Sequence, residues 1–469
     1  MSGIFGVVSE KDCVNDLYYG TDYNSHLGTK IGGLAVLNEN GIDRKIHNIE
    51  RDQFRAKFEE DLSKMHGKKG IGVISDYEDQ PLTIESHLGK YSIVSVSKIN
   101  NMAEIAKNAF KKNYHFVETD GGTINPTEVI AGLIDSESSF EEGIEKAQKT
   151  IDGSCTLMLL TDKGIYAARD KFGRTPLILG RREDSFAATS ETCAFYNIGY
   201  KPIQELGPGE IVLLTERGVH QKRKADDKLK ICSFLWVYYG NPSSSYEGIN
   251  VEAARYRCGA ALAKRDNVIV DAVCGIPDSG TAHAIGYANE SKMPFQRPQI
   301  KYVQTWQRSF MPQKQAQREV VASMKLNPAE ELIKDKKLLF CDDSVVRGTQ
   351  LKKNIRMLLK EYGAQEVHIR PACPPLCFGC KFLGFSRSKK ESELAAVRAI
   401  HNLEGKETLN KEDVMKYTNP DSEEHKGMVE KVRQELGATT LQYQRLDDLV
   451  QAIGLPKEKL CTFCWDGQE

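Results

Sequence analysis

A chain of 469 residues with 40% hydrophobic and 28% charged side chains has an ordinary globular composition, and its length predicts roughly two to four domains. Lys plus Arg (64) against Asp plus Glu (65) leaves a net charge of −1, without the basic excess or block of a nucleic-acid or anionic-membrane binder. No apolar run approaches the roughly 20 residues of a bilayer span, and residues 1–8 have neither a basic flank nor a cleavable apolar core. A cytoplasmic protein is expected, with no nucleic-acid and no membrane partner.

In chain order, residues 3–8, 32–37, 92–97, 156–160 and 164–168 are short apolar or alternating runs closed by Gly, Asn and Asp, and predict strands. Helical patterns cover 49–65, 125–134 and 139–150. Groups of strands with helices between them suggest a layered α+β unit. The polar, charge-alternating stretch 218–230 reads as a solvated linker. The boundary falls there, between a unit at 1–225 and a unit at 226–469.

Beyond it, the β-branched or apolar runs 268–273, 300–303, 337–341 and 367–369 alternate with helical patterns at 251–264, 281–290 and 350–362. That alternation predicts an α/β unit with a parallel sheet and ligands at its carboxyl edge. Residues 389–426 are highly charged, helical or loose, and carry no motif.

The most informative string is Asp342-Asp343-Ser344-Val345-Val346-Arg347-Gly348-Thr349. A predicted strand runs into two carboxylates and a short loop, and Leu351, Ile355, Leu358 and Leu359 then start a helix. A loop entering a helix N-terminus offers free N–H groups and positive dipole to an anion. Gly348 lets backbone approach a phosphate, and Ser344 and Thr349 add hydroxyl donors. Like charge keeps the acid pair off the phosphate, so its place is against sugar hydroxyls or a bridging divalent cation. The plainer reading makes Asp343 a helix cap and Asp342 its solvated neighbour.

The full string resembles the ribose-phosphate loop of type I phosphoribosyltransferases. Around it stand Ile276-Pro-Asp278-Ser279-Gly280, Gly286-Tyr287-Ala288, Arg308-Ser-Phe310, Arg318, Lys325-Leu-Asn327 and Pro374-Pro375, in the order seen in the amidophosphoribosyltransferase family. In the first half Gly3-Ile-Phe-Gly6, Arg169-Asp170, Ser190-Glu191-Thr-Cys193-Ala194 and Pro208-Gly-Glu210 also resemble that family. The resemblance implies an Ntn-hydrolase-like, class II glutamine amidotransferase domain of four αββα layers, followed by an α/β type I phosphoribosyltransferase domain. It implies 5-phosphoribosyl-1-pyrophosphate (PRPP) as substrate and Mg²⁺ held by Ser279, Asp342 and Asp343. Ser344 through Thr349 would take the 5-phosphate, while Lys325 and Arg308 would meet the pyrophosphate. One departure is Tyr302-Val-Gln-Thr-Trp-Gln307, which lacks the family's basic residues before the loop arginine.

A second departure is larger. The family's glutaminase uses an N-terminal cysteine, whereas Ser2 follows Met1 here; serine serves as nucleophile in other N-terminal hydrolases. The family's carboxylate-gripping arginine, in a His-Val-Arg-Tyr string, is missing from Gly72-Val-Ile-Ser75-Asp76-Tyr77. The oxyanion Asn-Gly is missing from Ser97-Lys98-Ile99-Asn100, and the amine-holding aspartate is replaced by Pro126. Loss of one oxyanion donor alone costs about 10²–10³-fold. The expectation is a glutaminase scaffold without glutaminase chemistry, with Ser2 a vestigial nucleophile.

Of the 12 cysteines, Cys13, Cys155, Cys193, Cys258, Cys274 and Cys341 stand singly and read as small buried hydrophobes. The terminal Cys461-Thr-Phe-Cys464 alone reads as half a zinc site, a redox pair or an accident. One branch of the family carries a 4Fe–4S cluster, and Cys232, Cys380, Cys461 and Cys464 fit its four ligands, with Cys377 and Cys373 as spare thiols. Three functions therefore stand: a PRPP transferase using ammonia or another amine, a silent PRPP- or nucleotide-binding regulator or partner subunit of a true amidotransferase, and a conventional glutamine-dependent enzyme; a homo- or hetero-oligomer is expected.

Overall fold

The computed structural model describes residues 2–111, 113–117, 119–120, 123–301, 326–384, 391–406 and 408–469. In the amino half two antiparallel sheets lie face to face. The first runs in the order Lys201–Glu205, Ile178–Arg182, Ser185–Thr189, Ser2–Ser9, Lys69–Ser75, Ile31–Asn38, Gly41–Asn48. The second runs Gly218–Arg223, Ile211–Thr215, Gly164–Ala168, Gly153–Thr161, Gly89–Ile99, Leu82–Ser86.

Strand alternation builds the layers. Ile4 and Val8 enter the core between the sheets with Val73, Val94, Met158 and Leu160. Phe5 and Val7 point the other way, against Leu17, Phe54 and Phe58 of the helices Val14–Asp22 and Phe54–Leu62. On the far side, Leu157 and Leu159 meet Ile130, Ile134 and Ile144 of Pro126–Ile134 and Phe140–Thr150. The result is the expected αββα stack.

The carboxyl half holds a parallel sheet in the order Ala272–Gly275, Lys337–Asp342, Glu366–Pro371, Thr440–Leu441. Helices Val251–Lys264, Thr281–Ser291 and Thr349–Lys360 accompany it. Leu351, Ile355 and Leu358, on one face of the last, are buried. The expected α/β class is present.

Several boundaries differ from expectation. Residues 218–223 are an edge strand of the second sheet rather than linker, because an edge strand tolerates a polar, charged face. The strand expected at 268–273 is Ala272–Gly275. The one expected at 300–303 is Gln299–Lys301, which pairs antiparallel with Leu326–Pro328 outside the parallel sheet. The helix expected over 49–65 spans only Phe54–Leu62. The charged 389–426 stretch contains Ala395–Glu404 and Lys411–Met415, the second opened by a reciprocal Asn410–Asp413 capping box. No helix is long and apolar enough to cross a membrane among the described residues.

Candidate functional site

At the carboxyl edge of the parallel sheet, Asp342 closes the strand Lys337–Asp342 and Asp343 opens the loop. The Ser279 hydroxyl donates to Asp342 Oδ1 at 3.1 Å, the Asp343 N–H donates to the same oxygen at 2.9 Å, and the Ser344 hydroxyl donates to Asp343 Oδ2 at 2.6 Å. Burial, and then the charge of Asp343, push the Asp342 carboxyl well above its ordinary range. Two crowded carboxylates plus a hydroxyl are hard oxygen donors of the kind Mg²⁺ takes, and a cation there would relieve their repulsion.

Val345 is buried beneath the loop, and the Val346 carbonyl accepts from Ala395 N at 2.7 Å. Gly348 takes φ +75°, where a Cβ would also press on Leu436 at 3.0 Å. Thr349 then begins a 12-residue helix whose N-terminal N–H groups face the loop. Arg347 pairs with Glu393 at 2.7 Å, and its carbonyl accepts from Arg398 at 3.1 Å. Sequence reasoning missed both partners, because they come from the charged stretch that carried no motif. It also missed Lys301, whose Nζ meets Asp278 Oδ2 at 2.8 Å beside Ser279. Ser279 comes close because Gly280 has no Cβ; a Cβ there would meet the Cys341 carbonyl at 2.0 Å. Arg308 and Lys325, and the 302–307 segment, lie outside the described residues.

In the amino half, Ser2 is buried and its hydroxyl donates to Ser75 Oγ at 2.9 Å. Asp76 accepts from Thr29 N at 2.8 Å and from the Thr29 hydroxyl at 2.9 Å. Glu78 accepts from Gln80 Nε2 at 2.8 Å and from the Thr127 hydroxyl at 3.1 Å, and burial pushes its carboxyl up. Pro126 opens the helix capped by Asn125, whose Oδ1 accepts from Thr127 N at 2.9 Å. Ser2, Asp76 and Glu78 each have hydrogen-bond partners of their own within the amino half.

Between the halves lies a small cavity lined by Cys232, Cys380, Cys461 and Cys464, with Arg174, Phe382 and Trp465. Cys232 and Cys461 stand in register in the parallel pairing of Ile231–Cys232 with Leu460–Cys461. The hydrogen bond with Cys380, and then burial, push the Cys464 thiol up; burial pushes Cys232 up, and Arg174 works against burial at Cys461. The buried Arg174 guanidinium stands 3.9 Å from Asp170 Oδ2 and places positive charge beside the Cys461 thiol. Cys377 is buried, its thiol pushed up to about 12, while Cys373 is wholly buried away from this cavity lining. Among the described residues no three His, Cys, Asp or Glu side chains converge as a single metal ion requires. The four thiols share the lining of one small cavity, and Cys380 and Cys464 are hydrogen-bonded across it. The six singly placed cysteines are all buried, as expected.

Residues 68–197 match a family model described as a glutamine amidotransferase domain. Over 99% of its length the chain is 31% identical to the amidophosphoribosyltransferase of Mycobacterium bovis, covering 85% of that protein. It is 29% identical to that of Bacillus subtilis over 99% of this chain and 93% of the relative. Among solved structures, glutamine phosphoribosylpyrophosphate amidotransferase from B. subtilis, complexed with ADP and GMP, superposes with a TM-score of 0.84 at 28% identity, covering 99% of this chain and 96% of that one.

Proposed function

The chain belongs to the amidophosphoribosyltransferase family, and from that premise we propose that its carboxyl half performs the transfer while its amino half hydrolyses no glutamine. The enzyme class is that of a pentosyltransferase of purine biosynthesis. PRPP binds with Mg²⁺, an amine attacks C1 of the ribose, and pyrophosphate departs. The two functional units are 1–225 and 226–469.

The observation that carries the transferase reading is the chain Ser279–Asp342–Asp343–Ser344, leading through Gly348 to a helix N-terminus. Ser279, Asp342 and Asp343 would hold Mg²⁺, which supplies charge neutralisation for the leaving pyrophosphate. Asp342 and Asp343 accept from the ribose hydroxyls and orient C1. Backbone N–H groups from Ser344 to Thr349, with the hydroxyls of Ser344 and Thr349, hold the 5-phosphate. Arg308 and Lys325 are assigned to the pyrophosphate, where fixed cations favour growing negative charge. Cys232, Cys380, Cys461 and Cys464 would hold a 4Fe–4S cluster clamping the carboxyl-terminal tail to the junction of the halves. Support for it is the shared cavity and the positive charge that Arg174 turns toward Cys461.

The silent-glutaminase reading rests on Ser2 bonding Ser75 in the Gly72–Tyr77 stretch that lacks the family's arginine, and on the altered Ser97–Asn100 stretch and Pro126. Pyrophosphate release from PRPP and Mg²⁺, measured with ammonium chloride or with glutamine, tests both halves. Ammonia-dependent release with no glutamate from glutamine is the expected result. Tight PRPP binding without turnover would instead favour the regulator, the reading suggested by the altered 302–307 approach.

A further inference from the structure

Residues 380–384 form a strap, outside helix and sheet, that carries Cys380, one of the four cysteines of the cavity lining. Backbone carbonyls in such a segment need partners, and here the amino half supplies them. Lys98 Nζ donates to the Cys380 carbonyl at 2.5 Å, Asn100 Nδ2 to that of Lys381 at 3.0 Å, the Ser154 hydroxyl to that of Phe382 at 2.5 Å, and the Tyr77 hydroxyl to that of Gly384 at 3.1 Å. The strap's remaining shape is kept by Leu383 N–H donating to Cys380 Sγ at 3.3 Å. The Arg174 guanidinium covers the Phe382 ring at 3.6 Å.

The donors are aimed by the fold. Lys98 and Ser154 face each other in register across the strands Gly89–Ile99 and Gly153–Thr161, so both side chains leave the same face of the sheet. Tyr77 stands two residues beyond the end of the strand Lys69–Ser75. Lys98, Asn100 and Tyr77 belong to the two stretches in which the family carries its oxyanion and carboxylate-binding residues.

We infer that the altered glutaminase edge has become a docking platform whose occupant is the chain's own 380–384 strap, with Lys98, Asn100, Ser154 and Tyr77 as positioning residues for Cys380. This rests on the reading of the amino half as catalytically silent, and it gives that half a reason to be retained. A donor lost from the platform frees a carbonyl of the strap, loosens Cys380 and leaves the remainder of both sheets intact.

The test uses the full chain as purified. Tyr77→Phe with Lys98→Met removes two donors at the protein surface; Ser154→Ala is a separate single variant, and Lys90→Met, on the same strand, is the control. Trypsin cutting after Lys381 and alkylation of Cys380 are followed by mass spectrometry, with alkylation of Cys13, in the core of the amino half, as reference. The expected result is cutting and Cys380 labelling faster by about tenfold or more, with Cys13 and the control unchanged. Unchanged rates at Lys381 and Cys380, or an equal rise at Cys13, would overturn the assignment. Glutamate release by the unaltered chain would remove the silent-glutaminase reading and leave the strap measurement standing. Unchanged cutting would do the reverse.

Discussion

The Ser2 hydroxyl donates to Ser75 Oγ at 2.9 Å, and the two residues oppose each other in register across the strands Ser2–Ser9 and Lys69–Ser75. Ser75 also accepts from Tyr77 N at 3.1 Å. The site of the family's nucleophile is therefore tied into a small neutral network, in the stretch where a guanidinium would have gripped glutamine. Restoring the nucleophile alone restores nothing else, so Ser2→Cys should release no glutamate above a blank. A coupled glutamate dehydrogenase assay checks this, and clear turnover by either form would contradict it.

The acid pair is predicted to matter for binding as well as turnover. Asp343→Asn removes charge from one side of the crowded pair but keeps the shape. Charge-assisted bonds of this kind contribute about 1.5–3 kcal/mol each. PRPP affinity measured calorimetrically with Mg²⁺ should fall by about 10- to 100-fold, and pyrophosphate release with ammonia should fall at least as far.

Gly348 sits at φ +75° with Leu436 Cδ2 at 3.0 Å from the position of a Cβ. An alanine there carries both left-handed strain and a tight contact, a cost of about 1–3 kcal/mol. Gly348→Ala should weaken PRPP binding by about 10-fold or more, because relief of the strain moves the N–H groups that meet the phosphate. Unchanged affinity would show that the loop does not use this conformation when occupied.

Stability should depend on pH through a clasp between the halves. Arg169, buried, meets Glu247 at 2.9 Å and Glu205 at 3.7 Å, and Glu205 Oε2 accepts from Glu247 N at 2.6 Å. Burial raises Glu205 to about 7, with Arg169 opposing and the Glu247 charge reinforcing the shift. The folded chain thus binds a proton that the unfolded chain releases near its ordinary value of 4.5. This contribution is complete below about that value and is lost as pH rises through about 7. Glu205→Gln should flatten the fall in melting temperature between those limits, an effect on the order of 2 kcal/mol. Thermal melts across the range check it.

The four cavity thiols predict a brown protein with a broad visible shoulder when purified anaerobically. Cys461→Ser should abolish the colour and lower the melting temperature, since Cys461 sits in the short parallel pairing that joins the terminal tail to Cys232. Cys377→Ser should leave the colour intact, because Cys377 is outside the cavity lining. Stoichiometric zinc with no iron would rule the cluster out.

Much of this was legible in order along the chain. The carboxylate-to-helix string around Asp342 and Gly348 announced a phosphate-type loop, because a strand, an acid pair, a glycine and a 3.6-residue apolar period are all local features. The parallel sheet and a layered α+β unit were legible from alternation, and the αββα order from the family resemblance. Boundaries were less so: Gly218–Arg223 looks like linker because its exposed edge face is charged, and only pairing with Ile211–Thr215 makes it a strand.

What the residues alone could not state is which distant groups answer one another. The pairing of Arg347 with Glu393, and the grip of Lys98 and Ser154 on a strap more than 200 positions away, are set by how sheets and loops pack. Sequence determined the chemical types present and their local spacing, since propensity and periodicity act over a few residues. Tertiary structure decided their partners, since a buried carbonyl or thiol is satisfied by whatever the fold brings to it, regardless of where that group lies in the chain.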